Sequence, residues 1–167
     1  MAIIISKLKN KLIDSIPLLI IFYLCLTQFG NDFKNLNFLT FNLQYIIVYY
    51  WTLRKPQLLG YGYIFIAGVI NDVIIGMPIG ISSLTYLIVA SFASYIRVVT
   101  VRISLLSDWV AFVPAIFVAN LFYIIVIFLF GEISLDYMRL LINTTFTLSL
   151  YPILWFLFNN FRKIILS

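Results

Sequence analysis

The chain has 167 residues, 63% of them hydrophobic and only 10% charged, whereas a water-soluble domain is about half apolar and a quarter charged. That balance excludes a surface of ordinary polarity and predicts an all-α, polytopic membrane protein. The net charge of +5 does not point to nucleic acid, because the basic residues form short clusters between apolar runs, as in cytoplasmic loops of membrane proteins.

Lys7, Lys9 and Lys11 precede the first apolar run. No small-x-small cleavage site ends that run near Phe29, so a retained first span is expected rather than a signal peptide. Apolar runs near membrane-spanning length cover residues 12–29, 36–53, 57–75, 81–96, 109–130 and 137–158. Six transmembrane helices are therefore expected, since backbone groups in hydrocarbon must be satisfied within their own segment. With the N-terminus inside, the inner segments hold Lys7, Lys9, Lys11, Arg54, Lys55, Arg97, Arg102, Arg162 and Lys163, and the outer loops only Lys34 and Arg139. This asymmetry predicts N-in/C-in. Trp51, Trp109 and Trp155 fall near the inner ends and are expected to anchor the interface. The loops leave no room for a soluble domain, so 1–167 is taken as one integral membrane domain. The charge pattern leaves open whether the 57–96 hairpin crosses fully or re-enters; its length favours crossing.

On the third span, Gly60, Ile64, Ala67/Gly68, Asn71/Asp72 and Ile75/Gly76 recur at helical spacing. Small residues let a neighbouring helix approach closely, and polar groups hydrogen-bond across the contact. Asp72 costs roughly 2.5–3.5 kcal/mol at a helix centre, and less near the interface. It also sits near a helix C-terminus, where the macrodipole disfavours an anion. Relief is expected from the next helix: Gly76, Pro78 and Gly80 allow a tight turn. The fourth span then offers free N–H groups and the hydroxyls of Ser82 and Ser83 to the carboxylate. Asp72 is thus expected to pin a helical hairpin, with a partner contact as the next reading and ligand or proton chemistry after it.

Asn120 on the fifth span and Asn143, Thr144, Thr147 and Tyr151 on the sixth are the other polar residues at depth. Asn143, Thr147 and Tyr151 share a face, and hydrogen bonds between helices are expected there. Pro114 and Pro152 are expected to kink their spans. Asp14 and Asp108 begin helices, where a carboxylate suits the dipole and caps.

Chemistry finds little support. With no His and a lone Cys25, an intramolecular disulfide, a Cys/His metal site and a histidine relay are excluded. Cys25 reads as a buried, inert thiol. No carboxylate cluster, phosphate loop or nucleophile elbow is present, so neither an enzyme nor a bound cofactor is expected. An ion conduit needs several facing ionisable groups at depth, and only Asp72 comes near.

The ordered set Trp51, Arg54-Lys55-Pro56, Gly60, Phe65, Gly68, Asp72, Gly76-Met77-Pro78-Ile79-Gly80, Leu84 and Tyr86-Leu87 resembles MreD, the rod shape-determining family of bacterial inner-membrane proteins. In that family a span ends in an aromatic and a basic-Pro pair, and a G-x3-D-x3-G-x-P-x-G hairpin follows. Length, orientation and Pro152 before a basic tail (Arg162, Lys163) agree, although the specific motifs cover only residues 45–90. The family often carries a Pro in its first outer loop, and residues 31–41 have none.

The resemblance implies a non-enzymatic scaffold of the peptidoglycan elongation machinery in the inner membrane. Its implied partners are an MreC-like bitopic protein, MreB-like filaments and peptidoglycan synthases. The motif residues it singles out are Pro56, Gly60, Gly68, Asn71, Asp72, Gly76, Pro78 and Gly80. The competing reading is a small-molecule, vitamin-like binding subunit of an energy-coupled transporter, with Asn71, Asp72 and the Asn143/Thr147/Tyr151 face lining its pocket. A lipid-carrier flippase is a third, lacking the intramembrane cation a diphosphate would call for.

Overall fold

The computed structural model describes the backbone of residues 2–27, 42–100, 104–130 and 136–166, and the side chains of 15–27, 42–100, 104–129 and 136–160. Among these residues all regular elements are helices: α1 (Ala2–Thr27), α2 (Leu43–Arg54), α3 (Tyr61–Ile75), α4 (Ile81–Val99), α5 (Leu105–Phe130) and α6 (Tyr137–Leu166). The helices fall where the apolar runs do.

The expectation of six spans is corrected. Among the described residues, three helices are long and apolar enough to cross a membrane: Ile81–Val99, Leu105–Leu129 and Tyr137–Asn160. α1 is helical over Ala2–Thr27, with side chains described only from Ser15, and α3 is shortened by the turn that precedes it. Pro56 begins a turn, closed by the Leu58 N–H to Lys55 carbonyl bond at 3.1 Å, and Gly60 caps the following helix. The run at 57–75 therefore yields 15 helical residues, about 22 Å at 1.5 Å per residue, against a hydrocarbon core of about 30 Å. In α2 only 12 residues are helical, and the start of the expected 36–53 span lies outside the described residues. So do the first outer loop with Lys34, the side chains of Lys7, Lys9, Lys11, Asp14, Arg162 and Lys163, and Arg102.

The core lies around α2, whose residues from Gln44 to Leu53 are all buried. A helix buried on all sides carries apolar residues all round, as Ile46-Ile47-Val48-Tyr49-Tyr50 does here. It is enclosed by α1, α4 and α6. α4 is the second hub, packing on α3, α2 and α5 through Ser83, Tyr86, Val89, Ala90 and Ala93. Its small residues bring α3 close. α5 and α6 instead expose long apolar side chains, among them Phe117, Phe128, Ile153 and Phe156, as helices facing lipid do.

Two ends of the bundle follow from the antiparallel order. One gathers the end of α3 with the starts of α2, α4 and α6. The other gathers the end of α2, the start of α5 and the later half of α6. Among the described residues, each holds one buried aspartate, Asp72 at the first and Asp108 at the second.

Candidate functional site

At the first end, α3 stops at Gly76 in the left-handed region (φ 73°). The Gly76 N–H bonds the Asp72 carbonyl, and the Met77 N–H reaches the same oxygen at 3.0 Å, a Schellman-type ending that only glycine adopts without a Cβ penalty. Gly80 (φ 110°) then caps α4. The chain reverses within five residues, and Asp72 is carried back against the start of α4.

Its side chain is fully buried. Oδ2 accepts the Gly80 N–H at 2.7 Å, and Oδ1 accepts the Ser82 N–H at 2.9 Å. These are donors that a helix start leaves without an internal partner, at its positive end. A residue of α3 therefore caps α4 from outside. The hydroxyls take other work: Asn71 Nδ2 donates to Ser82 Oγ at 2.9 Å, and Ser83 Oγ donates to the Phe65 carbonyl at 2.9 Å. Gly68 lies at the closest approach. A Cβ built on it would stand 2.3 Å from Ser83 Cα.

The other motif residues supply geometry. Pro56 opens the α2–α3 turn, Gly60 caps α3, and Pro78 accepts the Ile81 N–H at 3.5 Å within the hairpin turn.

The polar residues expected on the late helices divide between two places. Asn120 Nδ2 of α5 donates to Thr144 Oγ1 of α6 at 2.7 Å. Thr147 Oγ1 accepts the Asn42 N–H at 2.9 Å, at the start of α2, and donates to the Asn143 carbonyl at 2.7 Å. Tyr151 instead joins an aromatic stack with Phe112 and Tyr49, with ring centroids 4.6 and 5.9 Å away. This set is separate from Asn71 and Asp72, which face α4. Interhelical hydrogen bonds in membranes contribute about 0.6 kcal/mol on average and at most about 1.7. Asn120→Leu is accordingly expected to lower unfolding stability by no more than about 2 kcal/mol, measured by thermal unfolding in mild detergent.

The second end holds a cluster that the sequence did not announce. Arg54 Nη2 of α2 meets Asp108 Oδ2 of α5 at 2.9 Å, with the two side chains 10% and 0% exposed. The same oxygen accepts Trp155 Nε1 from α6 at 2.9 Å. Tyr49 Oη donates to the Asp108 carbonyl at 3.3 Å. The guanidinium lies 5.9 Å from the Tyr50 ring centre and 5.5 Å from that of Trp155, within cation–π range. Asp108, expected to serve its own helix start, instead ties three helices together.

Two of the tryptophans, Trp51 and Trp155, are corrected with it. Trp51 is buried against Tyr50 and Phe158. Trp155 serves Asp108. Trp109 is exposed, and its Nε1 donates to the Leu148 carbonyl at 2.9 Å. That carbonyl lies four residues before Pro152, which has no N–H to give it. The proline therefore marks an open acceptor on α6, and an indole from α5 fills it. Only that open acceptor was legible in sequence; Trp109 is 39 positions away.

No protein-family model, curated protein or solved structure matches the chain.

Proposed function

We propose that the protein is a non-enzymatic scaffold of the bacterial inner membrane, a six-helix N-in/C-in bundle of the MreD type serving the cell-wall elongation complex. It acts by binding an MreC-like bitopic protein, and through it MreB-like filaments and peptidoglycan synthases. The observation that carries this reading is the use made of the motif. Gly68, Asn71, Asp72, Gly76 and Gly80, which bear the resemblance, assemble one braced hairpin. The hairpin's charge is committed to backbone donors, and its outward side presents Phe65, Ile66, Val73 and Ile74 to lipid or to another helix. A rigid apolar surface of this kind suits helix-to-helix recognition. In this reading α2 crosses sheltered by α1, α4 and α6, so its length need not match the bilayer by itself.

Cross-linking the tagged protein in intact cells of its own host, then identifying co-purifying proteins by mass spectrometry, tests the proposal. Recovery of a bitopic periplasmic protein with wall synthases is expected. Recovery of an energy-coupling membrane subunit with ATPases would replace it with the binding-subunit reading.

A further inference from the structure

α6 is joined to α5 by two reciprocal indole bonds on neighbouring residues. Trp109 of α5 donates to the Leu148 carbonyl that Pro152 leaves open, and Trp155 of α6 donates back to Asp108. Phe158, three residues further on, lies 5.2 Å from Tyr50 and 6.2 Å from Trp51, ring centre to ring centre. Beyond the proline, the Asp108 node and the two ring contacts of Phe158 are among the contacts that fasten α6.

The node is incompletely satisfied. Among the described residues, Asp108 Oδ1, Arg54 Nε and Tyr151 Oη are buried without a hydrogen-bond partner. A buried ion pair is close to break-even against its hydrated state even when its remaining atoms are matched, and here they are not. The node also lies at an end of the bundle, where opening would deliver water to those atoms. A helix bends most readily at a proline, where a ladder bond is already missing. A hinge and a marginal latch therefore stand three residues apart on one helix.

We infer that the part of α6 beyond Pro152 is a hinged arm, latched by Arg54, Asp108 and Trp155, whose release uncovers the aromatic face of Tyr50 and Trp51. This inference is independent of the scaffold reading.

Pulsed electron paramagnetic resonance on spin-labelled protein in phosphatidylethanolamine/phosphatidylglycerol bilayers tests it, in a Cys25→Ala background. One label pair, at Asn160 and Val98, reports the arm; both positions are exposed. A second, at Val73 and Tyr95, reports the α3–α4 hairpin. With the latch intact, one main arm distance is expected. W155F and D108A are expected to add a longer arm distance while the hairpin distance stays unchanged. Adding P152A to D108A restores the missing N–H and is expected to return the arm to one distance. An arm distance unchanged in D108A would overturn the latch. A hairpin distance that broadens with it would make the node a determinant of the whole fold instead, and a P152A/D108A arm that stays broad would remove the hinge.

Discussion

Gly68→Ala is expected to destabilise the protein by more than about 3 kcal/mol, toward or beyond the upper end of what overpacking costs. The new Cβ would stand 2.3 Å from Ser83 Cα and 2.5 Å from Ser83 N. Both are backbone atoms of a helix, so neither can rotate away as a side chain would. Relief requires α3 and α4 to separate by most of an ångström. One turn along the same contact, Asp72 holds Gly80 and Ser82 at 2.7 and 2.9 Å. Hydrogen bonds of that kind weaken steeply as they lengthen, so the clash and the lost bonds act together. Gly62 provides the comparison, since nothing lies within 4 Å of its built Cβ. Gly62→Ala is expected to be neutral or to gain up to about 1 kcal/mol from helix propensity. Thermal unfolding followed by circular dichroism in mild detergent separates the two variants. A Gly68→Ala protein as stable as the parent would show that the helices do not touch there. Ser83→Gly is not expected to rescue Gly68→Ala, because the conflict is with backbone.

Asp72→Leu is expected to lower both membrane abundance and stability, by about 2–6 kcal/mol. The leucine leaves the N–H groups of Gly80 and Ser82 without their acceptor, and each unsatisfied buried donor costs about 1–3 kcal/mol. Asp72→Asn keeps one carbonyl oxygen in place and is expected to lose less, about 1–3 kcal/mol, with much of the abundance retained. The ordering Asp, Asn, Leu is the result that matters, read as membrane abundance and as unfolding temperature. A Leu variant of normal abundance and stability that no longer recovers its cross-linking partners would instead assign Asp72 to a partner contact. The carboxylate's burial and its two short backbone bonds favour the first outcome.

Much of the hairpin was legible because its parts are neighbours in the chain. Asp72 lies 8 and 10 positions from the donors it reaches. Between them, Gly76, Pro78 and Gly80 permit few paths other than a reversal. A carboxylate that cannot stay in hydrocarbon, followed by a turn and a fresh helix start, leaves one local resolution. The division of labour among the hydroxyls was less legible: Ser82 and Ser83 serve Asn71 and Phe65, while the backbone serves Asp72.

The sequence by itself determined that this protein is helical and apolar on its outside, roughly where its helices lie, and that α3 and α4 fold back on each other. Composition and period carry those facts, since they depend on each residue's own preference for lipid, helix or turn. The tertiary structure alone decided what the distant polar residues do. Arg54 lies 54 positions from Asp108, and Trp155 lies 47. Each had a sufficient local explanation: a loop cation, a helix-start carboxylate and an interface indole. Such explanations satisfy each residue alone and conceal that the end of α2, the start of α5 and the later half of α6 meet. The same holds for length. The turn at Pro56 trims α3 to 15 residues, and α2, buried from Gln44 to Leu53, packs as a core helix of 12 residues. Neither effect is a property of the apolar run itself; both come from what packs beside it.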